Sequence, residues 1–344
     1  MSQTQSIEQK SARGMRDTLL SFLQLLKHPF LWVMLGIIVL VGALPIFTNS
    51  PTLREQLFLV LMSVILATSV NIIMGYTGYV SFGNIVFFGL GGYIAFYLML
   101  NLQVHLALAA LAGGIFASAF ATLLGIPVLR LRGAYFALAT IGINEAVRAF
   151  VNNFEPFGGS VGMFFDYSQY DTYGGAKNAL WLAYYGIVLV TLLAVTTSFI
   201  IKKSKFGLAL MAIREDQDAA QVLGIEPARY KVIAYAASAF FPALAGALFF
   251  FKNGIIEPAA AFNMTASIEG MVAVMLGGFG TVAGPIIGAV VYDRLREFLL
   301  TSDLFSALHV AVAGVLLLLI VLFVPAGFVG ELRRRIPFVR RWVE

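Results

Sequence analysis

The sequence predicts an all-α protein that crosses a membrane many times, through about ten transmembrane helices, some of them broken at glycines. Charged residues make up 12% of the 344 residues, about half the roughly 25% of a soluble domain. Hydrophobic residues make up 60% and the mean hydropathy is +0.87, more apolar side chain than a water-soluble domain could cover with polar surface. A soluble enzyme is therefore excluded. A nucleic-acid-binding domain is excluded too, because the basic residues lie between apolar runs and not on one solvated face.

A series of apolar runs supports this fold class, since a helix of about 20 apolar residues spans a bilayer. In chain order the clear runs are Phe30 to Phe47, Leu57 to Met74, Ile85 to Leu100, Leu106 to Leu129, Ala134 to Val151, Leu180 to Ile201, Val232 to Phe251 and Leu308 to Val324. The stretch Thr265 to Val291 is also apolar but is interrupted by glycines and a proline. We interpret it as two crossings joined near the glycines, with eight spans plus a re-entrant pair as the alternative.

The basic residues predict the orientation of the spans. With the N-terminus inside, 17 of the 23 Lys and Arg residues fall on the inner side and 5 on the outer side, as the positive-inside rule requires. The expected organisation is a cytoplasmic segment 1–29, a transmembrane domain 30–325 and a basic cytoplasmic tail 326–344. Within the domain, residues 152–178 have the composition of an outer loop, and residues 202–230 form a polar inner segment.

Two glycine-rich stretches interrupt the spans. Residues 75–84 hold three glycines and residues 277–288 hold five. Paired interruptions in the two halves of a chain point to unwound helices along a translocation path. The candidate path residues are Asn71, Tyr76, Tyr79, Ser81, Asn84, Glu145 and Arg148.

Close helix packing is the other interpretation of these glycines. Gly280, Gly284 and Gly288 are spaced four residues apart, as on a helix face that another backbone can approach. Packing is favoured for the second stretch, whose glycines are Gly277, Gly278, Gly280, Gly284 and Gly288. For the first stretch, a path and a packing role remain equal alternatives.

Two charged residues lie within the fifth span. An arginine costs roughly 2.5–3.5 kcal/mol at the centre of a membrane helix and therefore needs a partner or an interface. Glu145 precedes Arg148 by three residues on the same helix face. An ion pair between them near the outer end of the span is favoured, and a polar wall for a zwitterionic solute is the alternative.

The inner segment 202–230 predicts a short cytoplasmic helix that lies along the membrane. Leu208 to Leu223 are strong helix formers, Gly224 stands where the helix should end, and Pro227 follows. The charged residues left to face a partner are Arg214, Glu215, Asp216 and Asp218. On pattern alone, a partner-binding helix and a solvated linker are equally good interpretations.

A family resemblance favours the partner-binding helix. Asp218-Ala-Ala-Gln-Val-Leu-Gly224 resembles the E-A-A-x-x-x-G loop by which bacterial ATP-binding-cassette (ABC) importer permeases dock on their ATPases. Four longer strings resemble the branched-chain amino-acid permease family, in particular its LivM-type subunit. They are Gly75-Tyr-Thr-Gly-Tyr-Val-Ser-Phe-Gly-Asn84, Leu131-Arg-Gly-Ala-Tyr-Phe-Ala-Leu-Ala-Thr140, Ala212-Ile-Arg-Glu-Asp216 and Met275-Leu-Gly-Gly-Phe-Gly-Thr-Val-Ala-Gly-Pro285.

The resemblance implies the fold of a type II ABC importer permease and a place in the bacterial inner membrane. The implied partners are a second homologous permease subunit, two ATPase subunits and an outside substrate-binding protein. It assigns ATPase coupling to Arg214, Glu215, Asp216, Asp218, Ala219, Ala220 and Gly224. The sequence contains no G-x-x-x-x-G-K-[ST] phosphate loop, so we expect no enzymatic activity in this chain and ATP with Mg²⁺ in the partner ATPases.

No cofactor or metal is expected. The chain has no cysteine, and its three histidines have no metal-ligand spacing. Branched-chain or other neutral amino acids are the expected solutes, with urea or a short amide as the alternative. A secondary transporter driven by an ion gradient is a further alternative from a different class, because such transporters also use broken helices.

Overall fold

The computed structural model describes residues 28–301, together with residues 327 and 330, and this part of the chain is almost entirely helical. The helices are α1 (Pro29–Thr48), α2 (Pro51–Val70), α3 (Asn84–Leu102), α4 (Leu106–Val128), α5 (Ala134–Asn152), α6 (Ala176–Lys203), α7 (Lys205–Glu215), α8 (Gln217–Val222), α9 (Pro227–Asn253), α10 (Pro258–Ala261), α11 (Met264–Gly277) and α12 (Ala283–Thr301). A π-helical turn, Asn71–Gly75, continues α2. Local sequence explains several starts: Ser50, Ser204 and Asn263 each accept a backbone N–H as helix N-caps.

The described residues include eight helical segments that are long and apolar enough to cross a membrane. Seven of them coincide with predicted spans, and the eighth, Pro258–Gly277, contains α10 and α11. Helix α12 carries four charged residues within 293–297 and is not among the eight. The predicted run Leu308 to Val324, the tail 326–344 apart from residues 327 and 330, and nearly all of segment 1–29 lie outside the described residues. The count of about ten crossings therefore remains a prediction.

Two ion pairs mark the two ends of the helical bundle, which we call the basic end (residues 129–133 and 202–226) and the loop end (residues 153–175). At the basic end, Arg132 after α4 pairs with Asp218 in the inner segment. At the loop end, Lys252 near the end of α9 pairs with Glu55 near the start of α2. The successive long helices run alternately between these two ends, as a polytopic membrane protein requires.

Helices α11 and α12 form a hairpin that turns at residues 278–282. The hairpin turns at the basic end, where the backbone N–H of Gly280 contacts the end of α2. Its far end returns to the loop end, where Gln56 near the start of α2 donates a hydrogen bond of 2.8 Å to Glu297. The two ends of the hairpin thus lie at the same end of the bundle, and its turn lies at the glycines where the two crossings were predicted to join.

The core is held by close approaches between helices as well as by large side chains. A Cβ atom built on Gly246 of α9 would lie 2.0 Å from the backbone oxygen of Phe88 in α3. Such an approach is possible only for glycine and is typical of membrane helix packing. Helices α3, α4 and α9 thus form a tight central bundle, and α5 lies on its outside with few buried residues.

The loop end is covered by residues 153–175, which lie within the segment 152–178 that was predicted to be an outer loop. A two-residue strand, β1 (Met163–Phe164), pairs antiparallel with β2 (Ile255–Ile256) after α9. Tyr170 is buried and donates a 2.6 Å hydrogen bond to the backbone oxygen of Phe251. The loop is therefore an ordered cap on the bundle.

Candidate functional site

The two glycine-rich breaks meet in space at the basic end. We call residues 75–83 the first break and residues 278–282 the second break. Asn71 donates a hydrogen bond of 2.8 Å from its side-chain nitrogen to the backbone oxygen of Thr281. Its side-chain oxygen accepts a hydrogen bond of 2.8 Å from the backbone N–H of Gly280. A single buried amide thus replaces the backbone partners that the second break has lost.

The local backbone explains why both breaks are glycine-rich. Gly78 and Gly280 have φ angles of +76° and +74°, which favour glycine. A Cβ atom on Gly75 would lie 2.0 Å from the side-chain oxygen of Asn71. The π-helical turn at 71–75 widens the helix just before the first break, a feature often found at functional sites.

The second set of glycines divides into two roles. A Cβ on Gly277 would lie 1.8 Å from the oxygen of Gly284, and one on Gly288 would lie 1.8 Å from the oxygen of Ala273. These three glycines let α11 and α12 touch backbone to backbone. Gly280 does not lie on that helix face, as its spacing had suggested, because it lies in the turn with a left-handed backbone. Gly278 ends α11 with a φ of +116°.

The inner segment contains two helices, and not the single helix predicted over Leu208 to Leu223. Helix α7 ends at Glu215, and α8 begins at Gln217. Asp216 is the reason for the break: its backbone is extended, and its carboxylate accepts hydrogen bonds from the N–H groups of Asp218 and Ala219. Gly224 ends α8 with a φ of +86°, at the predicted position.

The residues predicted for ATPase coupling occupy different environments. Arg214 turns inward and donates a 2.8 Å hydrogen bond to the backbone oxygen of Gly75 in the first break. Ala220 lies on the buried face of α8. Glu215, Ala219 and Gly224 are exposed. The outward-facing surface of the segment is therefore mainly α8 and the turn after it.

Arg132 ties α8 to the loop between α4 and α5. Its guanidinium donates two hydrogen bonds, of 3.2 and 2.9 Å, to the two carboxylate oxygens of Asp218. The Arg132 guanidinium holds the pKa of Asp218 below its usual range. Because the pKa of Asp218 is lowered in the folded protein, the ion pair adds to the stability of the folded state at neutral pH. This added stability is lost as the pH falls through the lowered pKa. Both side chains are largely exposed, so this contact orients α8 more than it stabilises the fold.

Lys231 is a central residue that the sequence alone marks only as an inner positive charge. Its side chain is 2% exposed. The ammonium donates hydrogen bonds of 2.8 Å to the backbone oxygen of Leu129, 2.9 Å to the Tyr79 hydroxyl and 3.1 Å to Gln217. It therefore connects α9, the first break, the end of α4 and the start of α8.

Replacing Lys231 with methionine should loosen this junction. The change leaves the Leu129 oxygen and the Gln217 side chain without their charged donor, and hydrogen bonds to charged groups contribute about 1.5–3 kcal/mol each. We expect a clear fall in the thermal unfolding midpoint of the detergent-solubilised protein. Lys205→Met, at an exposed lysine at the start of α7, is the matched control and should unfold as the wild type does. Equal midpoints for the two variants would contradict the role given to Lys231.

The predicted path residues in the first break, and Asn84 directly after it, are mostly hydrogen-bonded within the protein. The hydroxyl of Tyr76 lies 2.8 Å from that of Ser198. The hydroxyl of Tyr79 donates to Gln217 at 3.0 Å, and Ser81 accepts the N–H of Gly83 at 3.3 Å. Asn84 differs: it is 2% exposed, yet neither end of its amide has a hydrogen-bond partner among the described residues.

Glu145 and Arg148 form the predicted ion pair, at 3.8 Å. Their side chains are 56% and 41% exposed, on the face of α5 that points away from the rest of the chain. Glu145 lies seven residues before the end of α5 at Asn152, which is about 10 Å along a helix. The pair therefore lies within the span and on a surface of the chain. Among the described residues, no three His, Asp or Glu side chains gather into a metal site.

The sequence of the chain is similar to known proteins of one family. The sequence model of the family described as "Branched-chain amino acid transport system / permease component" matches residues 53–321. The high-affinity branched-chain amino acid transport system permease protein LivM of Escherichia coli K12 is 30% identical, over 87% of this chain and 75% of its own length. LivM of Salmonella typhimurium is 31% identical, over 78% of this chain and 68% of its own length. LivH of Escherichia coli K12, a permease protein of the same transport system, is 32% identical over 42% of this chain and 46% of its own length. No solved structure matches the chain.

Proposed function

Because the chain belongs to the branched-chain amino acid transport permease family, we propose that it passes branched-chain or other neutral amino acids inward through an ATP-driven importer. The chain is a multi-pass inner-membrane ABC importer permease subunit and not an enzyme. The proposed complex adds a second homologous permease, two ATPase subunits that bind ATP and Mg²⁺, and an outside substrate-binding protein. The basic end, and with it both termini, is proposed to be cytoplasmic.

The observation that carries ATPase coupling is an exposed apolar pair at the C-terminal end of α8. Val222 and Leu223 are 88% and 80% exposed, at the end of a short helix that Asp216 caps and that Arg132 ties to the neighbouring loop. The helix is held in place while its apolar tip faces away from the chain. Such a pair, on the basic and non-spanning side of the molecule, supports a docking surface for the ATPase.

The solute path is proposed to run along the exposed face of α5, the face that carries Glu145 and Arg148. Glu145 and Arg148 lie on that face within the span, where lipid contact would be costly for charged groups. A second permease subunit facing α5 would enclose them in a polar space between the two chains. Asn84, the first residue of α3, has a buried amide without a hydrogen-bond partner among the described residues, and it is therefore the predicted path residue proposed to bind a polar solute or water.

The test of ATPase coupling replaces Val222 and Leu223 together with serine. We expect the importer complex to lose its ATPase subunits during purification and to lose ATP-driven leucine uptake in proteoliposomes. Apolar anchors at the centre of an interface often contribute 2 kcal/mol or more, which corresponds to a loss of affinity above about tenfold. A double variant that retains its ATPases and its uptake would contradict the proposed docking surface.

The matched control is the pair Val161→Ser and Phe164→Ser. These side chains are 65% and 57% exposed and lie at the loop end, away from α8. This variant should copurify with as much ATPase as the wild type.

Uptake of leucine driven by an ion gradient alone, without ATPase subunits, would favour a secondary transporter. Competition of leucine uptake by alanine, a charged amino acid and urea would separate a neutral amino-acid path from a urea or amide path.

A further inference from the structure

Arg214 contacts both helix breaks from the inner segment. Its Nη1 donates a 2.8 Å hydrogen bond to the backbone oxygen of Gly75 in the first break. Its guanidinium carbon lies 4.7 Å from the ring centre of Phe279 in the second break. The aliphatic part of the side chain packs on Gly78, where a Cβ would lie 3.2 Å from the Arg214 Cγ.

Helix α7, which carries Arg214, is packed firmly against the rest of the protein. Leu210 and Ile213, one turn and one residue earlier, are buried. A Cβ on Gly207 would lie 2.0 Å from the backbone oxygen of Ile201 at the end of α6. Because α7 is packed in this way, a displacement of α7 must move Arg214 and the end of α6 together.

The two breaks form one mechanical unit, because Asn71, in the π-helical turn that runs into the first break at Gly75, makes two hydrogen bonds to the second break. A cleft of about 500 Å³ lies beside this unit, between the inner segment, the first break and the loop before α5. Its lining includes Arg214, Tyr79, Arg132 and Ala137. The inner segment therefore borders open space on its side that faces the first break.

We infer that Arg214 is the positioning residue that transmits movement of the inner segment to both helix breaks at once. This inference rests on the proposed function, since the movement is the one that ATPase closure would impose. Energy coupling requires that the docked segment make different contacts in two states. The guanidinium suits this task because its planar fork can hydrogen-bond a carbonyl and stack on a ring at the same time.

The test measures coupling and not only activity. The complete importer, with its ATPases and binding protein, is placed in liposomes, and leucine taken up is divided by ATP hydrolysed. For Arg214→Ala we expect the complex to assemble and to hydrolyse ATP, with leucine moved per ATP reduced about tenfold or more. Arg130→Ala removes an exposed arginine at the same end and should keep the wild-type ratio.

Two gentler variants keep the inference falsifiable if Arg214→Ala fails to assemble. Arg214→Lys keeps a charged donor for Gly75 and loses the planar group that stacks on Phe279. Phe279→Leu keeps that hydrogen bond and loses the ring. Both should lower the ratio of leucine moved per ATP. A wild-type ratio in Arg214→Ala, or in both gentler variants, would overturn the inference. A wild-type importer without ATP-driven uptake would instead contradict the proposed function.

Discussion

Replacing Asn71 with leucine should prevent the protein from accumulating as a stable membrane protein. The substitution removes the acceptor for the Gly280 N–H and the donor for the Thr281 oxygen. Leucine has a similar size but no polar atom, so both backbone groups are left without partners. Each unsatisfied buried polar group costs about 1–3 kcal/mol, and two of them are a large part of the roughly 5–15 kcal/mol that stabilises a typical fold.

The matched control is Asn101→Leu near the end of α3. Asn101 is exposed, and its amide donates only to the backbone of its own helix, at 3.2 Å from the Tyr97 oxygen. Fluorescence-detected size exclusion of detergent extracts measures the outcome. We expect a monodisperse peak for Asn101→Leu and loss of the peak for Asn71→Leu. Equal peaks would mean that the two breaks are not held together through Asn71.

The positions of the spans follow from composition, because each apolar run must satisfy its backbone as a helix. The predicted runs and the observed helices differ mainly at their ends. Helix α6 begins at Ala176, before the predicted Leu180, and α9 begins at Pro227, before Val232. Polar helix ends carry no hydropathy signal, so a count of apolar residues misses them.

The split of the inner segment at Asp216 was missed although a signal for it was present. Helix propensity summed over residues 208–223 favours one continuous helix. Aspartate, however, is a strong N-cap residue, and Asp218 in the following turn suits the positive end of a new helix. The capping side chain overrides propensity here, because it satisfies two N–H groups that a straight helix would have bonded elsewhere.

The contacts that build the candidate site are long-range, and a single sequence contains no record of them. Asn71 and Gly280 are 209 residues apart, and Arg214 and Gly75 are 139 residues apart. Glycine content marks each break separately, and pairing of the breaks depends on how the helices pack. In the sequence, Lys231 is likewise only one more inner charge. Its role becomes visible in the fold, which brings three acceptors from other elements to its ammonium group.

The same change from glycine to alanine should destabilise the protein at Gly288 and should not destabilise it at Gly142. At Gly288, an added methyl group would lie 1.8 Å from the backbone oxygen of Ala273, so α11 and α12 must separate. Overpacking of this kind costs about 1–3 kcal/mol, and more where the obstacle is backbone. At Gly142 in α5, an added methyl group meets nothing within 4 Å, and alanine is favoured over glycine in a helix by about 1 kcal/mol.

Thermal unfolding of the isolated chain in detergent compares the two variants directly. Gly288→Ala should unfold at a lower temperature than the wild type, and Gly142→Ala at the same or a higher temperature. The hairpin of α11 and α12 also carries the second break, so Gly288→Ala should displace Phe279 and Gly280 from Arg214 and reduce the leucine moved per ATP. A Gly288→Ala protein with unchanged unfolding and unchanged coupling would show that the hairpin is not closed through its glycines.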